Sequence, residues 1–199
     1  MKKLLLFILI LIIMGCAGKK VDEIGGNALK VQVSPHASSL ISKRIGVIPF
    51  IGAKEDLGIY MSRAVADNLI TSGFQVIESK YLLSELKKLL ENESLFETNE
   101  WEEFKQFFKK DDLGAVTNNL IKLRDLDLVD FLLTGRVKVK KGWFFSKSNE
   151  VDEANFNLIN VQNGAIIYSL NYNRDRAGED LTPRELSEKV ANALITAMQ

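Results

Sequence analysis

Arg44-Ile45-Gly46-Val47-Ile48-Pro49-Phe50 is a short apolar run entered by an arginine and stopped by a proline, and its reading decides the fold. It suits a buried strand, because a proline lacks the N–H that a continuing ladder would need. Asp56 follows as a helix cap, and Leu57, Met61, Ala64, Val65 and Leu69 then recur on one helical face. Gly73 stands where a left-handed cap ends such a helix, and Phe74-Gln75-Val76-Ile77 reads as a second strand. A helical crossover between two strands predicts that they pair in parallel.

Toward the carboxyl end the signals continue. Ser79 caps a second helix whose stripe is Leu82, Leu86, Leu89 and Leu90. Residues 91–110 run acidic, aromatic, then basic: Asn99 and Glu102 make a capping pair, Trp101, Phe104 and Phe108 fall at helical spacing, and Lys105, Lys109 and Lys110 suit the negative end of the helix dipole. Leu113, Val116, Leu120 and Leu123 mark another helix, and Phe131 to Val139 a strand. Asn155 to Val161 and Ala165 to Tyr172 flank Gln162-Asn163-Gly164, the turn chemistry of a hairpin, with Ile166, Tyr168, Leu170 and Tyr172 expected on one face. Thr182-Pro183-Arg184-Glu185 is a capping box with proline in the first turn, and Leu186, Val190, Ala193, Leu194 and Ala197 form the stripe behind it. The fold class is α/β, a single mixed β-sheet with helices packed on it.

Toward the amino end the composition changes. Lys2 and Lys3 precede an unbroken apolar run from Leu4 to Met14, then Gly15 and Cys16. Eleven helical residues rise only about 17 Å, while a bilayer core needs about 20 residues, so the run is a secretory signal in form and not a spanning helix. Ile13-Met14-Gly15-Cys16 resembles the bacterial lipobox. The resemblance implies cleavage between Gly15 and Cys16, and a diacylglyceryl thioether and an N-acyl chain on Cys16. Two or more acyl chains hold a protein to a membrane stably. Ala17 in place of an aspartate leans toward the outer membrane. Residues 17–42 carry Gly25-Gly26, Ser34-Pro35 and Ser38-Ser39, breakers that suit a tether, although Val31 and Val33 fit a short strand. The chain divides into a signal peptide at 1–15, a lipidated cysteine and flexible tether at 16–42, and a domain at 43–199.

Within that domain, Ile45 to Phe50, Leu57-Gly58, Ser72 to Glu78, Val129 to Gly135 and Leu158 to Gly164 come in an order and spacing that resemble a family of bacterial envelope proteins. These group around the curli secretion lipoprotein CsgG and include the flagellar lipoprotein FlgO, the penicillin-binding-protein activator LpoB and the amino-terminal domain of TolB. The resemblance implies a small α/β domain that binds, assembles or activates other envelope proteins. CsgG itself builds a ring-shaped membrane barrel. A subunit of such an oligomeric channel needs spare amphipathic strands of about 9–11 residues. None is evident here; segment 136–147 carries Lys138, Lys140, Lys141 and Lys147.

Charge and chemistry exclude other classes. With 26 basic and 26 acidic residues the chain is formally neutral, and loss of Lys2 and Lys3 leaves −2, so the basic excess of a nucleic-acid binder is missing. Cys16 is the only cysteine and His36, in the tether, the only histidine. No phosphate-binding glycine loop, serine-hydrolase elbow or zinc-protease motif occurs, and the expectation is a non-enzymatic protein without cofactor or metal. Asp125, Asp127 and Asp130 lack the glycine and distal glutamate of a calcium loop and read as solvated acids at a turn. Trp143, Phe144 and Phe145 follow the turn glycine Gly142 and, with Lys141 before it, form the candidate partner-binding loop, aromatic with a basic rim. The exposed sheet edge is the other docking surface. Trp101, Phe104, Phe107 and Phe108 read as core. Partners are envelope proteins and the membrane, with a homo-oligomer compatible.

Overall fold

The computed structural model describes residues 29–34, 42–52, 55–90, 123–139 and 150–198. In chain order these form β1 (Leu29–Val33), β2 (Arg44–Val47), β3 (Ile51–Gly52), α1 (Glu55–Thr71), β4 (Gln75–Glu78), α2 (Ser79–Leu90), β5 (Phe131–Val139), β6 (Val151–Asn160), β7 (Ile166–Asn173), α3 (Arg174–Ala177) and α4 (Pro183–Met198). The strands make one mixed sheet in the order β1-β7-β6-β5-β2-β4, with β3 also on β5. β2 pairs in parallel with β4 and with β5, as a helical crossover requires, while β5, β6, β7 and β1 run antiparallel.

β2 is shorter than its apolar run suggests. It ends at Val47, and the chain re-enters the sheet as β3 beside Arg136 and Val137. The jog at residues 48–50 uses the proline and sends neighbours to opposite faces: Ile48 joins the smaller core and Phe50 the larger. Gly58 makes room for that jog, since a Cβ there would lie 1.7 Å from the Phe50 carbonyl oxygen.

Helix ends follow their local chemistry. After α1, Gly73 takes φ 88°, its N–H donates to Ile70 O at 2.9 Å, and the Phe74 N–H reaches Leu69 O at 3.1 Å. That pair of bonds is a Schellman cap, sealed by the buried side chains of Leu69 and Phe74. At α4 the Thr182 N–H donates to Glu185 at 2.8 Å and the Glu185 N–H to Thr182 Oγ1 at 3.3 Å, closing the box read from sequence.

Two cores lie on opposite faces of the sheet. The larger packs α1 and α4 against Ile45, Val47, Leu133, Phe156, Leu158, Tyr168 and Leu170. Phe50 and Phe156 meet edge to face, centroids 5.0 Å apart, above Gly135, where a Cβ would approach both rings within 2.7 Å. Two phenols of β7 fasten α4 and the segment leading into it: Tyr168 donates to Ala197 O at 2.6 Å near the end of α4, and Tyr172 donates to Glu179 O at 2.7 Å while accepting the Leu181 N–H at 3.3 Å, both before α4 begins. The smaller core holds Ile48, Leu82, Leu123, Val129, Leu132, Ile159 and Val161.

Two sequence expectations change. Residues 29–33, placed in the 16–42 tether, are the edge strand, and Leu29 and Val31 lie in the larger core, so the folded unit begins before residue 43. Leu29 to Val33 find their reason to be a strand in β7, far along the chain. Ile166 does not share the core face of Tyr168: it is 52 % exposed and Ile167 is buried instead. The ladder slips there, pairing Leu158 with Tyr168 but Ile159 with Ile166, and this bulge breaks the alternation.

Candidate functional site

The antiparallel half of the sheet has two chemically different faces. Phe156, Leu158, Leu170 and Tyr172 enter the larger core, so period-two geometry sends Asn155, Asn157, Ser169 and Asn171 to the other side. Register sets them in rows. Lys30, Asn171, Asn155 and Arg136 lie across β1, β7, β6 and β5, and Gln32, Ser169, Asn157 and Thr134 make the next row. Further along the same face of β5 and β6, Leu132 and Ile159 are apolar and belong to the smaller core. The face is therefore apolar toward the α2 side and polar across β1, β7 and β6.

The centre of the polar part is a square of four side chains joined along three of its sides. Asn157 Nδ2 donates to Asn155 Oδ1 at 2.8 Å, Asn155 Nδ2 to Asn171 Oδ1 at 2.5 Å, and Asn171 Nδ2 to Ser169 Oγ at 3.4 Å. Each carboxamide spends one N–H in this relay and retains another, with free acceptor capacity besides. The four groups are half-buried, which holds their rotamers, and Lys30, Gln32 and Arg136 around them are exposed. Such an array is suited to neutral hydrogen bonding with a partner surface. Nothing in it is a nucleophile with a paired base.

The rim carries ion pairs. Lys138 reaches Glu153 at 3.4 Å and Asp152 at 3.6 Å, and its hydrogen bond to Glu153 holds the ammonium above its ordinary pKa. Arg174 stands among Glu150, Asp152, Asp175 and Asp180 at 3.5–3.9 Å.

The acids singled out from sequence are not simply solvated. Asp130 Oδ2 accepts from the Arg44 N–H at 2.8 Å and from Arg44 Nε at 3.4 Å, Asp127 Oδ1 accepts from Arg44 Nη2 at 2.9 Å, and Arg44 Nη1 also donates to the Asp127 carbonyl. Asp127 adopts φ 48°, and its main-chain carbonyl and Oδ1 both meet that guanidinium. Burial alone would raise the Asp130 carboxyl, but the Arg44 N–H and guanidinium outweigh it and hold the group below the usual carboxylate range. The clamp joins the starts of parallel strands β2 and β5. Asp125 pairs separately with Arg124 at 3.3 Å. Among the described residues no three His, Cys, Asp or Glu side chains gather as a metal site, and no helix is long and apolar enough to cross a membrane.

Gly15 and Cys16, the loop Lys141, Trp143, Phe144 and Phe145, the aromatics Trp101, Phe104, Phe107 and Phe108, and His36 lie outside the described residues. The asparagine square was not singled out from sequence. Its signal was present as Asn155 and Asn157 alternating with Phe156 and Leu158, and as Asn171 alternating with Leu170 and Tyr172.

Among the described residues the domain is thus a single mixed sheet with α1 and α4 packed on one face. No protein-family model and no curated protein matches the chain. Among solved structures it is similar to the PelC dodecamer from Paraburkholderia phytofirmans, at 18 % identity over 85 % of this chain and 92 % of that one, TM-score 0.42. It is similar to a lipoprotein from Neisseria meningitidis, at 19 % identity over 64 % of this chain and 76 % of that one, TM-score 0.42. The LpoB C-terminal domain from Salmonella enterica gives 12 % identity over 74 % and 87 %, TM-score 0.43. Likeness at this level assigns no function to the chain.

Proposed function

We propose that this chain is a lipoprotein of the bacterial envelope, held to the outer membrane by the lipids on Cys16, whose domain works by binding other envelope proteins and not by catalysis. The observation that carries the reading is the leader: Lys2-Lys3, the apolar run Leu4 to Met14, and Gly15-Cys16 at its end. Anchorage of that kind confines the domain to a surface where its partners are membrane-bound or periplasmic. The hydrogen-bonding rows around Asn155 and Asn171 support a binding role, as does the aromatic loop at Trp143 to Phe145.

Growth with an alkyne-tagged palmitate tests the anchor. The expected result is a labelled band in the outer-membrane fraction that disappears in Cys16→Ala; an unlabelled wild-type protein overturns the reading. Cross-linked pull-downs from cells then compare wild type with Trp143→Ser/Phe144→Ser and with Asn155→Ala/Asn171→Ala. Loss of the same partner band locates the docking surface. Light scattering on the detergent-purified protein separates this reading from that of a secretion-channel subunit, which requires a discrete complex of many chains.

A further inference from the structure

β1 is the edge of the sheet, bonded to β7 alone among the described strands. The Ser34 N–H donates to Ile167 O at 2.8 Å, which makes Ser34 and Ile167 a hydrogen-bonded pair. In an antiparallel ladder bonded and non-bonded pairs alternate. The main-chain groups of Gln32 and Lys30 therefore also point to β7, and those of Leu29, Val31 and Val33 point away from it. The side chains of these same three residues turn into the larger core, Leu29 and Val31 buried and Val33 partly so. What the edge offers outward is main chain.

We infer that β1 pairs antiparallel with β1 of a second copy of this chain, on a two-fold axis through Val31. The edge is self-complementary in that register. Leu29 lies opposite the partner's Val33, Val31 opposite the partner's Val31, and Val33 opposite the partner's Leu29. All three outward residues then meet outward residues, and with two bonds exchanged by each such pair the contact makes about six hydrogen bonds. A slide of two residues in either direction leaves fewer pairs. Charge selects the same register. Lys30 stands opposite the partner's Gln32, so the two edge lysines do not face each other. The slide that pairs Leu29 with the partner's Val31 would set Lys30 against the partner's Lys30, a like-charge opposition that destabilises a strand pair. An edge lysine ordinarily discourages strand addition; here it penalises a competing register and tolerates this one. The contact is isologous and closes at two chains. It joins two sheets into one and makes their polar faces continuous, so that Lys30 and Gln32 of both copies bridge the two asparagine squares. The pairing does not depend on Cys16 carrying a lipid.

Disulfide trapping on the full-length protein carrying Cys16→Ala, in detergent, tests the register with no thiol present besides the introduced ones. Lys30 and Gln32 are both exposed, and as an opposed non-bonded pair their Cα atoms would lie about 4.5 Å apart, within reach of a disulfide. An equimolar mixture of Lys30→Cys and Gln32→Cys chains, exchanged and then oxidised, should give several-fold more linked dimer than either variant alone. Within one variant the like cysteines sit on a diagonal of about 8 Å, beyond the bridging limit. No excess in the mixture overturns the proposal. Val33→Pro removes one outward N–H and leaves the bonds to β7 intact. Introduced into both cysteine variants, it should abolish the excess while circular dichroism retains the folded signal; an unchanged excess overturns the proposal. Should that variant unfold, the cysteine pair decides alone, because both of its positions are on the surface.

Discussion

Phe156 and Asn157 are neighbours in β6, yet they answer to different demands. Phe156 is fully buried against Phe50 and over Gly135, where no Cβ fits. Asn157 is half-buried in a relay of amides that still has bonds to give. The first face is shaped by volume, so its tolerance is measured in methylene groups. The second is shaped by hydrogen-bond geometry and leaves the fold much less dependent on any one member. The contrast teaches which surface can change without disturbing the larger core: the one on which Gln32, Thr134, Asn155, Asn157, Ser169 and Asn171, with the charged Lys30 and Arg136, lie away from α1 and α4.

Unfolding experiments can break that contrast. Phe156→Ala should lower stability by about 3–5 kcal/mol in urea melts, as ring loss leaves a cavity beside Phe50, whereas Asn157→Ala should move the midpoint by about 1 kcal/mol or less. Comparable losses would mean that the polar face is structural after all. Gly135→Ala adds only one methyl to the core face and should still cost about 1–3 kcal/mol, because two rings must move; the same measurement on Ser169→Ala should show far less. Tyr168→Phe removes a single hydroxyl from the tie to Ala197 and should cost about 1 kcal/mol. The smallest effect concerns Asp130, whose side chain keeps 27 % of its exposure. Its pKa is depressed in the folded state, so its contribution is present above the unfolded carboxylate pKa and is lost as pH falls through the folded one. Wild type should therefore lose more stability on acidification than Asp130→Asn, and the gap between them should narrow at the acid end. Parallel curves would refute the clamp with Arg44.

The parts legible in the sequence were those with local causes. The Asn163-Gly164 turn is fixed by its own side chains, Asn163 Oδ1 accepting the Ala165 N–H at 2.9 Å and Gly164 at φ 72°, and the hairpin followed. The Gly73 cap and the Thr182 box likewise need only their neighbours. The short strand at Val31 and Val33 was legible, but its place in the folded unit was not, because Leu29 to Val33 sit among glycine, serine and proline and their pairing is made with distant β7. The Arg44 clamp spans 83 and 86 residues, a distance over which spacing says nothing. Ile166 was misplaced by one bulged residue, which no period-two pattern announces. The asparagine square was visible as polar alternation, but only register shows that Asn155 stands beside Asn171.

Tyr168 and Tyr172 bind the carbonyls of Ala197 and Glu179, not their side chains. A latch that grips main chain is blind to what residue it holds. The hydrogen bonds therefore set no demand on the gripped side chains: exposed Glu179 can change with little consequence, and Ala197 is held to a small apolar residue only by its packing against the core. Sequence variation at Glu179, in the segment leading into the last helix, would then misreport how firmly that segment is held, and two tyrosines spaced four apart on a strand would be the mark by which to find the same arrangement in chains otherwise unrelated in sequence.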